Sequence, residues 1–465
     1  MSSPAPAVPA RNGAELPATA KNATLAGHSA AILGVQVAVL CCSVANNLLT
    51  AHMGGPDGKG ILYSLQLISA VLGLSFMHFC LGAAAIVLVK QGKISGADAA
   101  SSIFLPSLLL GGIPAIVMGA GWHWFSPFFG RNVNITYLWL ALLSIPALVL
   151  TFNVGLFSLA EDKLRQYNQL TAAAPVTLAT GLCTFLVLGK KSVPFLIAAW
   201  ALSAFIPGCV AAYLIVKQTA GKILPHYTLF RQMYQFGWRA HLCGVLQQLQ
   251  HRTPVLLVGI LLPVTDLGIY SLSVGLIELL WYIPNTLSVA LLPHIAGSSS
   301  DDARRVTAVI CRVTLAVTAI LGLMLALGCS ILIPAILPKF SSALVPLWLL
   351  LPGVVAASIG RVIASDLNGR EQPMKVFAPV FYSFVLETIL GIYCIPRYGL
   401  RGAALVTVLG YLVNTAVQIP IYCQIADVSA FSVLILKKQD LLAIIRLVRG
   451  RIERLRELIT PEFAA

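Results

Sequence analysis

Charge is what this chain has least of. Only 10% of its 465 residues are Asp, Glu, Lys or Arg, against about 25% in a soluble domain, so a molecule of this size could not cover a water-facing surface. That shortage excludes soluble enzymes and nucleic-acid binders. Carboxylates are the scarcer sign, 17 against 31 basic residues. The ten cysteines fall in or at the ends of apolar runs without metal-ligand spacing, so they read as small buried hydrophobes and not as zinc ligands or disulfides. Glycine-rich phosphate loops, nucleotide motifs and nucleophile motifs are missing too. No cofactor is expected, nor any coupling to ATP within the chain.

What is present is apolar: 58% hydrophobic residues and a mean hydropathy of +0.86. A bilayer core of about 30 Å takes about 20 helical residues. That yardstick places twelve spans near 30–52, 61–89, 101–120, 136–157, 170–189, 194–216, 239–262, 267–292, 307–335, 344–364, 375–395 and 400–424. The chain is therefore expected to be an all-α polytopic membrane protein. Residues 1–29, Ala/Pro-rich and polar, read as a disordered cytoplasmic tail and not a signal peptide. A basic linker over 217–238 separates six spans within 30–216 from six within 239–424. With both termini cytoplasmic, 22 basic residues fall inside and 7 outside, Lys59 among the latter, as the positive-inside rule requires. In the last segment, 425–465, Leu441, Ile445, Val448, Ile452, Leu455 and Ile459 recur at helical steps with five arginines on other faces. This amphipathic basic helix suits anionic headgroups of the cytoplasmic leaflet, with a protein partner as the alternative.

The two halves echo each other. Pro56-Asp57-Gly58-Lys59-Gly60-Ile61-Leu62-Tyr63-Ser64-Leu65 enters the second span, and Thr265-Asp266-Leu267-Gly268-Ile269-Tyr270-Ser271-Leu272 enters the eighth. The second stretch, continued to Pro293 (DLGIYSLSVGLIELLWYIPNTLSVALLP), resembles the polysaccharide-transport branch of the multidrug, oligosaccharidyl-lipid and polysaccharide (MOP) exporter superfamily. So do Ile333 to Gly353 (IPAILPKFSSALVPLWLLLPG), Leu367 to Pro373 (LNGREQP) and Tyr398 to Leu405 (YGLRGAAL). Lys339 departs from the pattern, which commonly has Gly there. The resemblance implies about 12 transmembrane helices in two six-helix bundles around a central cavity opened alternately to either side. It also implies transport of undecaprenyl-pyrophosphate-linked oligosaccharide from the cytoplasmic to the outer leaflet of a bacterial inner membrane. Partners would be that lipid-linked oligosaccharide, membrane lipids, and the polysaccharide polymerase and assembly proteins.

Charges within spans are costly, about 2.5–3.5 kcal/mol each on insertion scales, and are functional candidates by default. Arg252 and Glu278 lie at similar depth on successive spans. His241, Gln248 and His251 share a helical face beside Arg252, and Ser271, Gly275, Glu278, Tyr282 and Asn285 share another. Asn47 belongs to a third stripe with Gln36, Ser43 and Thr50, and Thr407, Tyr411, Asn414, Gln418 and Tyr422 form a fourth. Such stripes line a lumen or hydrogen-bond helices together. A guanidinium offers a phosphate paired donors and stays charged at any physiological pH, so Arg252 is the candidate pyrophosphate ligand, with Glu278 as its counter-ion. Arg361 is a second phosphate candidate, or snorkels to headgroups. Glu278 and Glu387 are candidate ion-coupling carboxylates. Competing readings are an ion-coupled antiporter for drugs or small metabolites and a membrane polymerase; the short outer loop near 121–135 has no carboxylate, which counts against the second.

Overall fold

The structure is a computed structural model that describes residues 18–77, 81–129, 134–219, 227–288, 300–370, 372, 374–435 and 437. Described residues form helices and short connections, with no strand among them. In chain order the helices are α1 (Ala18–Met77), α2 (Leu81–Lys90), α3 (Gly96–Ala120), α4 (Trp122–Phe129), α5 (Ile135–Ala160), α6 (Leu164–Val187), α7 (Val193–Gln218) and α8 (Tyr227–Leu261). Then follow α9 (Val264–Ser288), α10 (Ser300–Ile336), α11 (Leu344–Gly369), α12 (Met374–Ala426) and α13 (Ala430–Leu434). The basic helix expected over 441–459 lies outside the described residues.

Nine helices among the described residues are long and apolar enough to cross a membrane. Reaching the expected twelve requires reading α1 and α12 as two spans each and adding α8, whose polar face keeps it out of the nine. Both long helices do break. Gly55 in α1 (φ 61°) and Gly399 in α12 (φ 57°) adopt the left-handed conformation that a residue without Cβ reaches without strain, and they fall in the two gaps left between expected spans. Pro114, Pro284 and Pro352 sit within α3, α9 and α11. Ile331 is 74% exposed, Ile116 66%, Met324 63% and Ile389 62%. Apolar surface of that extent belongs in lipid, and the protein is a multi-pass membrane protein.

Two segments are more helical than expected. Helix α1 begins at Ala18, inside the stretch read as a disordered tail, where alanines favour helix. Helix α8 begins at Tyr227, inside the basic linker, because Leu229, Phe230 and Met233 pack against a core formed by α2, α3, α5 and α7. The cysteine expectation holds only in part. Cys243, Cys311 and Cys329 are buried, but Cys41, Cys183 and Cys209 are exposed, since a lipid-facing position accepts a small apolar side chain as readily as a core does.

Three hydrophobic cores are built only from residues up to Phe230 and Met233, a fourth only from Leu246 onward. In the remaining two, Leu48, Ala51, Tyr63 and Leu67 of α1 pack among residues of α8 to α12. Helix α1 thus joins the first part of the chain to the second, and its closest contact there is reciprocal. A Cβ on Gly60 would lie 2.0 Å from the Val264 carbonyl oxygen, and one on Gly268 1.9 Å from that of Pro56. Between them the Thr265 hydroxyl donates to the Asp57 carboxylate, across a separation of 208 residues. Gly60 with Gly268 and Pro56 with Val264 have the same separation, so the echo is a local two-fold contact. The Tyr-Ser-Leu match is one residue out of that register: Tyr63 lines a cavity between the helices, whereas Tyr270 is fully buried and bonds Thr407 at 3.2 Å.

A methyl group at position 268 has no room, because its neighbours are backbone atoms. Gly268→Ala should lose about 1–3 kcal/mol, the usual cost of overpacking, read as a lower melting temperature of the purified protein. Gly112→Ala, where nothing lies within 4 Å of the new Cβ, should be neutral or slightly stabilising because alanine is the better helix former.

Candidate functional site

The polar stripes converge. A cavity of about 620 Å³ opens between α1, α8, α9 and α11, with Leu178 of α6 at its edge. The first arm of α1 contributes Ser43, Asn46, Asn47 and Thr50, and its second arm Lys59, Tyr63 and Gln66 at helical steps of four and three. From α8 come Gln248, His251 and Arg252, from α9 Gly275, Glu278, Trp281, Tyr282 and Asn285, and from α11 Arg361. Gly275 is needed here, since a Cβ would meet the Asn47 amide at 2.6 Å.

Among the described residues, three cations and one carboxylate line this space. Arg252 Nη1 lies 3.0 Å from Glu278 Oε1 and 3.4 Å from the Tyr63 hydroxyl. Arg361 donates from Nε to Asn285 Oδ1 at 2.8 Å. Lys59, only 4% exposed, donates to Asn47 O at 3.2 Å, Asn47 Oδ1 at 3.1 Å and Thr50 Oγ1 at 3.0 Å. The single carboxylate thus holds Arg252, while the other two cations meet neutral acceptors. His251 bonds the Tyr411 hydroxyl at 3.2 Å and packs edge-on against Trp281. That cluster forms one wall and offers apolar faces beside the charges.

Of the residues singled out in the sequence, Arg252, Glu278, His251, Gln248, Asn285, Asn47 and Arg361 all line the cavity. Arg361 therefore faces the lumen and does not snorkel. His241 is not a lining residue; it lies ten positions before His251 on α8, about 15 Å along the axis. Glu387 is also elsewhere. It is fully buried in α12, where its Oε1 accepts from Gln250 Nε2 at 3.3 Å, and Oε2 has no hydrogen-bond partner among the described residues. The stripe on the second arm of α12 is mostly packed: Thr407, Tyr411, Gln418 and Tyr422 are buried, and Thr407 and Tyr411 hydrogen-bond Tyr270 of α9 and His251 of α8. Lys59 is the main residue the sequence reading misplaced, as an outer loop cation. Its signal was the spacing Lys59, Tyr63, Gln66, which continues a polar face into the helix after Pro56.

The sequence profile of the family described as "Polysaccharide biosynthesis protein" matches residues 65–339. The chain belongs to that family. No curated protein matches it in sequence. Among solved structures, the lipid II flippase MurJ in an inward closed conformation superposes with a TM-score of 0.67 at 14% identity, over 94% of this chain and 93% of that one. An inward-facing multidrug resistance MATE family transporter of the MOP superfamily gives 0.64 at 12% identity, over 85% and 98%. A MOP superfamily transporter from Pyrococcus furiosus, in which reverse polarity of the binding pocket suggests a different function, gives 0.55 at 14% identity, over 85% and 95%. The fold is that of MOP superfamily flippases and transporters.

The Arg252–Glu278 pair is partly exposed to the cavity, with side chains 25% and 37% accessible, so water screens it. Arg252→Leu and Glu278→Leu should each lower thermal stability. The double variant should lose less than the sum, by a coupling of about 0.5–3 kcal/mol, in a double-mutant cycle of melting curves.

Proposed function

We propose that this membrane protein translocates undecaprenyl-pyrophosphate-linked oligosaccharide repeat units from the cytoplasmic to the outer leaflet, for assembly of an exopolysaccharide, O-antigen or capsule. The observation that carries this reading is the excess of Lys59, Arg252 and Arg361 over Glu278 around one cavity. A cavity whose fixed charge is positive attracts an anion and repels a cation. Arg252 would meet the pyrophosphate by exchanging Glu278 for phosphate oxygens, in the paired geometry a guanidinium favours. Arg361, held only by an amide, needs no such exchange. Gln66, Gln248, Asn46, Asn47 and Asn285 offer donors and acceptors to sugar hydroxyls, and Trp281 and Tyr282 offer apolar faces. A volume of about 620 Å³ is that of an ordinary small-molecule site, so the polyprenyl tail stays among the lipid-facing helices.

In this reading two six-helix bundles, 30–216 and 239–424, rock about α1 and α9. Pro56, Gly60, Val264 and Gly268 mark the outer end, both termini are cytoplasmic, and the membrane is the bacterial inner membrane. The polymerase that consumes the repeat unit is the natural partner. A strain lacking the protein should accumulate complete repeat units on undecaprenyl pyrophosphate, identified by mass spectrometry and shielded from an impermeant glycan label. Reinstating Arg252→Ala or Arg361→Ala at normal expression should leave that accumulation in place. Polysaccharide output equal to the parent's from either variant would remove the pyrophosphate role assigned to that arginine.

A second reading, an ion-coupled antiporter of the same superfamily, draws on the burial of Glu387 away from the cavity. It expects Arg252→Ala to be tolerated and Glu387→Gln, at normal expression, to abolish transport. Retained transport in that variant counts against ion coupling through Glu387.

A further inference from the structure

Lys59 occupies an unusual place on both sides of a break. Its backbone belongs to the arm of α1 that follows Gly55, within the turn that carries Pro56, Asp57 and Gly60 to the contact with Val264, Thr265 and Gly268. Its ammonium group reaches back to the arm before Gly55. All three of its acceptors, Asn47 O, Asn47 Oδ1 and Thr50 Oγ1, lie there at 3.0–3.2 Å. An ammonium has three donors and no more, so the hydrogen bonding is complete and the two arms are tied across the kink. The charge is another matter. No carboxylate stands within ion-pair reach of Nζ among the described residues. The nearest acid along the chain, Asp57, is exposed and takes the Thr265 hydroxyl, and the cavity's one carboxylate, Glu278, holds Arg252. A buried charge satisfied only by neutral dipoles gains most from an anion.

We propose that Lys59 is an anion-operated latch on the outer end of the cavity. This rests on the reading of the cavity as a pyrophosphate site. An anion that has passed Arg361 and Arg252 meets Lys59 at the closed end and draws Nζ away from Asn47 and Thr50. The two arms of α1 are then free to change their angle at Gly55, whose left-handed φ makes it a hinge without steric cost. The arm beyond the hinge carries one side of the Gly60–Val264 and Pro56–Gly268 contact, so that contact loosens when the anion arrives and not before. A ligand moves such an equilibrium only by as much as it prefers one state. Replacing three neutral hydrogen bonds by a direct charge pair supplies that preference.

The test uses full-length protein in lipid nanodiscs carrying Asp57→Cys and Thr265→Cys. The oxidised fraction is read by mass spectrometry of the linked peptides, so native cysteines do not interfere. Inorganic pyrophosphate is the probe, and its binding is measured in parallel by calorimetry. In the parent pair, saturating pyrophosphate should lower the ratio of linked to unlinked protein about tenfold, as a tenfold preference for the open state requires. With Lys59→Gln added, linking should be low from the start and indifferent to pyrophosphate, although pyrophosphate still binds through the arginines. Lys59→Arg should restore the response. Linking in Lys59→Gln that matches the parent and still falls with pyrophosphate would overturn the latch, as would a parent that binds pyrophosphate with no change in linking; both leave the flippase reading standing. A parent that binds no pyrophosphate would instead remove the pyrophosphate reading and the latch with it.

Discussion

Every feature of this molecule follows from one constraint: in hydrocarbon, a polar group has to find its partner inside the protein. Helices meet that demand for the backbone, which is why the described chain is helical. For side chains it can be met only by turning polar faces toward each other. Four such faces, on the two arms of α1, on α8 and on α9, line the cavity together with the arginine of α11. The Arg252–Glu278 pair, the Arg361–Asn285 bond and the Lys59 cluster are three solutions of the same problem. They differ in how much charge they leave over, and that remainder gives the cavity its positive character.

The glycines do the complementary work of bringing backbones close enough for these groups to meet. Gly60 and Gly268 let α1 and α9 touch carbonyl to Cα, Gly275 admits Asn47 beside α9, and Gly55 turns Lys59 back on its own helix. Removing side chains at crossings is how membrane helices gain packing where no hydrophobic drive separates helix from lipid. The Gly60–Val264 and Pro56–Gly268 crossing sits one residue from Lys59, which lines the cavity.

The sequence announced the architecture because the relevant signals are local. Span lengths, the gaps between expected spans over 53–60 and 396–399, and the stripes on α8 and α9 depend on residues within a few turns of each other. Arg252 and Glu278 could be matched because two successive spans keep their depth. Arg361 was harder: near the end of a span, a long cation reaches headgroups or a lumen equally well, and only the position of Asn285 decides between them. Lys59 was harder still, since a lysine after a Pro-Asp-Gly turn reads as a loop residue until the kink folds it inward. The Tyr-Ser-Leu echo shows the opposite failure, a local match one residue away from the register that the glycine crossing imposes.

What the sequence determined by itself is therefore the solvent of each face: apolar runs long enough for lipid, polar stripes that had to turn away from it, and glycines at the places where the chain could bend. The tertiary structure alone decided which stripes form a cavity and which simply pack. Glu387 lies buried against Gln250 and Gly410 and outside the lumen, while Lys59 lies within it. The physical reason is that hydropathy and periodicity are properties of one helix, whereas the partner of a buried charge comes from another, or from the same helix across a bend.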